Sequence, residues 1–114
     1  MVVDGSEEVA ADRVFQALSD ATRRDILTRL IREEQSVSAL ARHYPISLAA
    51  VQKHVAVLER AALVTKHRHG REQLVQVDPT ALRRAARLLQ AYEQLWRHRA
   101  RRIHDLLTED RERT

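Results

Sequence analysis

Apolar residues recur along this chain at helical spacing in four separate stretches, then alternate with period two, then return to one long helical period. Ser6 followed by Glu7 and Glu8 reads as a helix start, with acids beside the positive end of the dipole. Val9, Val14, Ala17 and Leu18 give that helix an apolar stripe. Ser19-Asp20 interrupts the pattern, and Asp20 suits the N-cap of a second helix in which Ile26, Leu27, Leu30 and Ile31 form one buried face. Ser36 or Ser38 opens a short third helix carrying Val37, Leu40 and Ala41. Tyr44-Pro45-Ile46 stops it, because the residue before proline disfavours the α region. Ser47 caps a fourth helix whose inward positions are Val51, Val55, Leu58 and Ala62.

The period then changes. Residues 63–68 and 73–77 flank a turn at His69-Gly70-Arg71, and the second run alternates, which predicts a β-hairpin. Asp78-Pro79 supplies an N-cap with proline at the first helical position, and a long last helix follows. Its apolar positions, Leu82, Ala85, Leu89, Tyr92, Trp96, Ala100, Ile103 and Leu107, are three or four apart, close to a heptad seam. Some 28 residues at about 1.5 Å each span roughly 40 Å, longer than a small domain needs for its own core. Such a helix either folds along its own domain or buries its seam against a second copy of the chain. The length favours the second copy.

The expected fold is therefore mainly α with a small β-hairpin, in one domain covering residues 1–114. N-terminal helices take 6–35, a helix-turn-helix 36–61, a wing 63–77, and a dimerisation helix 79–109.

Composition narrows the function. The absence of cysteine excludes disulfides, cysteine-zinc sites and thiol catalysis together. No apolar run exceeds four residues, where a membrane span needs about 20. The acidic N-terminus has no character of a secretory signal, so a cytoplasmic protein is expected. Two glycines leave no phosphate-cradling loop, and no Ser-His-acid set stands in a catalytic context, so no enzyme activity is expected. Twenty Lys and Arg against sixteen Asp and Glu give a net charge of +4, which suits a polyanionic partner. Eighteen of the twenty are Arg, a bias that reflects coding composition as much as function. Distribution says more: Lys53, Arg60, Lys66, Arg68 and Arg71 cluster mid-chain, opposed by Glu59 and Glu72.

A short helix, a turn of three or four residues, a second helix and a basic hairpin follow the order of a winged helix-turn-helix. Residues 38–43 would brace against a DNA backbone while residues 47–60 enter the major groove, which accommodates one helix. The face expected opposite Val51, Val55 and Leu58 presents Leu48, Ala49, Gln52, Lys53 and Ala56. Gln pairs bidentately with adenine, Lys donates to guanine or phosphate, and Leu48 and Ala49 suit a thymine methyl. The same face also fits the solvated side of any amphipathic helix; its place between this turn and this hairpin favours base reading. Arg23, Ser36, Ser38, Tyr44, Ser47 and His54 are the candidate phosphate or positioning contacts, and Arg68, His69, Gly70 and Arg71 form the wing.

These residues carry a resemblance. Leu18-Ser19-Asp20-Ala21-Thr22-Arg23-Arg24-Asp25-Ile26-Leu27 resembles the entry segment of the ArsR/SmtB family of bacterial winged-helix repressors. The stretch from Ser47-Leu48-Ala49-Ala50-Val51-Gln52-Lys53-His54 through Ala61-Ala62-Leu63-Val64 resembles its recognition helix, and Arg68-His69-Gly70-Arg71 resembles the turn of its wing. The resemblance runs from Val14 to Val77. It implies a homodimer packed through the first and last helices, with Val9, Leu82, Leu89, Tyr92, Trp96, Ile103 and Leu107 at the interface. It also implies a near-palindromic double-stranded DNA operator and, usually, repression. Two positions depart from the family: Gln52 stands where Ser is usual, which should alter base preference. Ala62 replaces the usual Gly, so a left-handed backbone there would cost about 1 kcal/mol, and a different helix end is expected.

Many members of the family sense metals. Its third-helix thiolate site needs cysteines, which this chain lacks, and its last-helix site needs Asp and His where residues 80–92 hold neither. His98 and His104 are six apart, so about 600° of rotation puts them on different faces. His67 and His69 share one side of a strand but make only a pair. No metal and no cofactor is expected, and no effector is identified. Two alternatives keep the fold: a winged-helix protein-protein interaction module, or a metal-responsive repressor whose site is unrecognised.

Overall fold

The structure is a computed structural model that describes residues 5–113. Asp4 and the side chains of Ser6, Glu7 and Glu8, which carry the acidic start read from the sequence, lie outside the described residues. Residues up to Leu82 form one compact unit, and the rest of the last helix forms a second.

In the first unit, α1 (Gly5–Leu18) begins one residue ahead of Ser6, so Ser6 is not its cap. α2 (Ala21–Arg32) is capped as its sequence predicts: the Asp20 carboxylate accepts the Arg23 backbone N–H at 3.0 Å. Ile26, Leu27 and Leu30 are buried, but Ile31, at the edge of that face in the last turn of the helix, is 55% exposed. A two-residue strand, β1 (Gln35–Ser36), follows, and Ser36 then caps α3 (Val37–Ala41) by accepting the Ala39 N–H at 3.1 Å. α3 ends earlier than Pro45 requires. Its tail continues as tighter i→i−3 bonds from Arg42, His43 and Tyr44, and these stop at the residue before the proline. The turn to α4 (Leu48–Arg60) therefore has six residues, 42–47, where three or four were expected.

β2 (Val64–His69) and β3 (Glu72–Val77) make the expected hairpin, and β1 pairs with the far side of β3. The sheet is antiparallel with order β1-β3-β2, registering Ser36 with Leu74, and Val64 with Val77 through His69 with Glu72. The turn itself is two residues, Gly70-Arg71, so His69 belongs to the strand. Gly70 has φ +62 while Arg71 stays at negative φ, the arrangement of a type II′ hairpin turn, which takes glycine first. Beneath the sheet, Ile26, Leu40, Val51, Val55, Leu58, Leu63 and Val75 are each fully buried and form the core.

α4 does end left-handed. Ala62 has φ +61, its N–H bonds to the Glu59 carbonyl at 2.9 Å, and the Leu63 N–H bonds to the Leu58 carbonyl at 3.1 Å. The expected change of helix end is thus overturned: burial of Leu58 and Leu63, both 0% exposed, holds a conformation that alanine disfavours. Within this cap it is Ala61, not Ala62, that is buried.

α5 (Pro79–Arg113) starts on Asp78, whose carboxylate accepts the N–H groups of Thr80 and Ala81 at 3.0 and 3.3 Å. Its 35 residues amount to about 52 Å of helix at 1.5 Å per residue. In the second unit the seam residues Leu89, Tyr92, Trp96, Ile103 and Leu107 are 45–61% exposed, and Leu95 and Leu106 widen the same apolar stripe.

The two positive-φ positions should respond in opposite directions. Ala62→Gly should raise stability by up to about 1 kcal/mol by relieving the left-handed alanine. Gly70→Ala should lower it by about 1 kcal/mol through the backbone alone, since nothing lies within 4 Å of the added Cβ. Urea midpoints at unchanged slope measure both; a stabilising Gly70→Ala would contradict the turn assignment.

Candidate nucleic-acid interface

The amphipathic pattern of α4 decides what it presents. Val51, Val55 and Leu58 are fully buried, while Leu48, Ala49, Gln52 and Lys53, at the helix start and on its flank and outer side, are all exposed. Ser47 fixes the start of the helix, its hydroxyl accepting the Ala50 N–H at 3.1 Å. One groove of about 520 Å³ brings Ser38 of α3, Leu48 and Gln52 of α4, and Arg71 of the wing turn together, with Val37 and Val55 beneath. Lys66, Glu72 and Gln73 of the hairpin line it as well. The sequence placed Lys66 and Glu72 in the mid-chain charge cluster and Gln73 in the hairpin, but assigned none of the three a role in the site. Strand alternation held the signal for Lys66, which pairs in register with the buried Val75 and leans over α4, where its ammonium lies 3.4 Å from the Glu59 carboxylate.

The wing residues Arg68, His69, Gly70 and Arg71 are all exposed at the hairpin tip. Ser38 is exposed, with its hydroxyl 3.3 Å from that of Ser36. Ser36 is 7% exposed and occupied as the α3 cap.

Arg23 is held within the protein. Its Nε donates to the Ala17 carbonyl at 2.8 Å and its Nη2 to the Gln16 carbonyl at 3.0 Å, so a cation closes the negative end of α1. Arg24 adds a third such bond, to the Leu18 carbonyl at 2.7 Å. The remaining Arg23 nitrogen, Nη1, lies 3.3 Å from Nδ1 of His54 on α4. A guanidinium only donates, so in this hydrogen bond Nδ1 is the acceptor. Arg23 and His54 thereby tie the entry segment to the half-buried side of α4.

Tyr44 ties the turn down. Its hydroxyl donates to the Asp25 carboxylate at 2.5 Å, and the Arg29 guanidinium lies 5.7 Å from the ring centre while bonding the same carboxylate at 2.9 Å. Burial, followed by the neighbouring carboxylate, pushes the Tyr44 phenol up to about 12. The Tyr44 hydroxyl, then Arg29, hold Asp25 below the ordinary carboxylate range. The capping bond from the Arg23 N–H does the same for Asp20. Among the described residues, no three His, Asp or Glu side chains are grouped to hold a metal ion. No helix among them is long and apolar enough to cross a membrane.

Two helices joined by a turn, with the second exposing a polar face beside a two-stranded wing, define a winged helix-turn-helix. Comparison with known proteins agrees: residues 18–67 match the helix-turn-helix domain family. Over 71 residues the chain is 45% identical to the HTH-type transcriptional regulator Rv2034 of Mycobacterium tuberculosis, covering 62% of this chain and 66% of that protein. It is 32% identical to the transcriptional repressor SdpR of Bacillus subtilis, covering 62% and 79%. An ArsR-like transcriptional regulator from Rhodococcus sp. RHA1 superposes with a TM-score of 0.73 at 36% identity, covering 89% of this chain and 95% of that one. The chain belongs to the ArsR family of winged helix-turn-helix transcriptional regulators.

Because Tyr44 is the larger cause of the Asp25 shift, Tyr44→Phe should return the carboxyl toward its ordinary 3.8. The folded-state value is depressed, so this tether contributes fully above that range and is lost as pH falls through the lower folded value. Carboxyl-carbon NMR titration of both proteins reads the change; identical Asp25 titrations would remove Tyr44 as its cause.

Proposed function

We propose that this chain is a homodimeric repressor that reads a near-palindromic operator in double-stranded DNA, through Leu48, Ala49, Gln52 and Lys53 of α4. The observation that carries the reading is the outward face of α4, fixed by fully buried Val51, Val55 and Leu58 and set beside a groove shared with Arg71. Gln52 and Lys53 supply donors and acceptors where base edges lie in a major groove. Arg68, His69 and Arg71 meet the flanking backbone, with Gly70 letting the wing turn tightly. Ser38 and the α4 start at Ser47 lie close to phosphate. Arg23, Ser36, Tyr44 and His54 act by positioning α3 and α4, since Arg23, Ser36, Tyr44 and the Nδ1 of His54 are engaged inside the protein.

Dimerisation through the α5 stripe, together with Val9 and Leu82, accounts for large apolar side chains that the single chain leaves exposed. Repression is the role of one relative, the transcriptional repressor SdpR. Such a protein works in the cytoplasm without a resident cofactor.

Helix and wing should fail differently. Gln52→Ala should cost about 1–3 kcal/mol on the operator and little on unrelated DNA, through loss of a base contact. Arg71→Ala should weaken both DNAs alike and flatten the salt dependence by about one unit per subunit. Binding isotherms at several salt concentrations decide; equal weakening of both DNAs by Gln52→Ala would move the reading face elsewhere.

Trp96→Glu should shift the protein toward monomer and weaken operator binding in parallel, which sedimentation and gel shifts measure together. A wild-type monomer at micromolar concentration would refute the dimer.

A further inference from the structure

The net charge of this chain does not sit on its reading head. Through Leu82 the sequence carries eleven basic and eleven acidic residues, and beyond it nine and five, so the whole excess of four lies on residues 83–114. Within that stretch it is concentrated further. Residues 83–104 hold seven arginines and one acid, Glu93. An overall preference for arginine gives no reason for acids to be missing from the same stretch.

Geometry sorts these charges. At about 100° per residue, Arg83, Arg87 and Arg101 fall on one side of α5, roughly opposite the stripe of Leu89, Trp96 and Ile103. All three are exposed, and among the described residues none forms an ion pair; Glu93 is taken by Arg97 at 2.6 Å. Unpaired like charges along one exposed face repel one another, and a polyanion relieves that repulsion.

We propose that this arginine face of α5 is a second DNA-binding surface, holding the phosphates of double-stranded DNA without regard to sequence. It rests on the reading of the protein as a DNA-binding regulator. Duplex phosphates fit better than an anionic membrane, because a helix lying in a bilayer surface must bury its apolar stripe, and the dimer proposed above already covers the stripe of Leu89, Trp96 and Ile103. Arginine also pairs with phosphate through its planar fork, which lysine does not.

The test is the combined variant Arg83→Gln, Arg87→Gln and Arg101→Gln in the full chain. Glutamine keeps helix propensity and the apolar stripe is untouched, so circular dichroism and sedimentation should match wild type. Anisotropy titrations over a salt series should then give a dependence shallower by about two to three units per subunit, equally on operator and unrelated duplex. The preference for operator should remain. An unchanged salt dependence overturns the proposal, as does capture of wild type by phosphatidylserine vesicles with DNA binding unaffected by the variant. Failure of the underlying function looks different: neither protein would then prefer operator over unrelated duplex.

Discussion

The rotation of α4 about its own axis is the constraint on which the rest of this molecule depends. A helix turns by about 100° per residue, so a slip of one position would carry Gln52 from the outer face toward the core. Burial of Val51, Val55 and Leu58 at zero exposure opposes that slip, because each would lose its apolar environment. The polar ties act on the same degree of freedom. His54 meets Arg23, which is itself anchored to the last carbonyls of α1. At the far end the Leu58–Leu63 cap and the Glu59–Lys66 pair join α4 to the hairpin. Core and polar ties therefore agree on one orientation, and that orientation sets the face proposed to read DNA.

The entry segment illustrates how one short motif serves several elements. Asp20 caps α2 by accepting from Arg23, while the Arg23 side chain closes α1 and touches α4. Tyr44, Asp25 and Arg29 perform the corresponding task for the turn, joining it to α2 through a shared carboxylate. These residues stand where a contact list drawn from sequence would place phosphate binders. Their geometry makes them a frame for the residues proposed to bind.

Much of this was legible in the sequence because burial has a period. The inward face of α4, the caps at Asp20, Ser47 and Asp78, and the hairpin all follow from spacing or from one residue's chemistry. What escaped had no period to read. β1 is two residues, Gln35 and Ser36, and is a strand only because β3 lies beside it. Ala62 accepts a left-handed backbone because Leu58 and Leu63 must both be buried, a tertiary demand that overrides local preference. The placement of the Arg23 guanidinium likewise depends on carbonyls six and seven residues away, at a helix end whose direction the sequence does not state.

The shortness of β1 has a mechanical consequence. It supports β3 only at Leu74 and Val75, so the sheet has three strands at its base and two toward Gly70. A two-stranded ribbon alone is marginal in water, and no buried side chain lies beyond Val75 toward the tip. Amide-exchange protection should therefore fall from the base of the wing outward, with the last rungs opening independently of the core. Such a ribbon is stiff where it is rooted and compliant where it ends, so its tip can shift without disturbing α4.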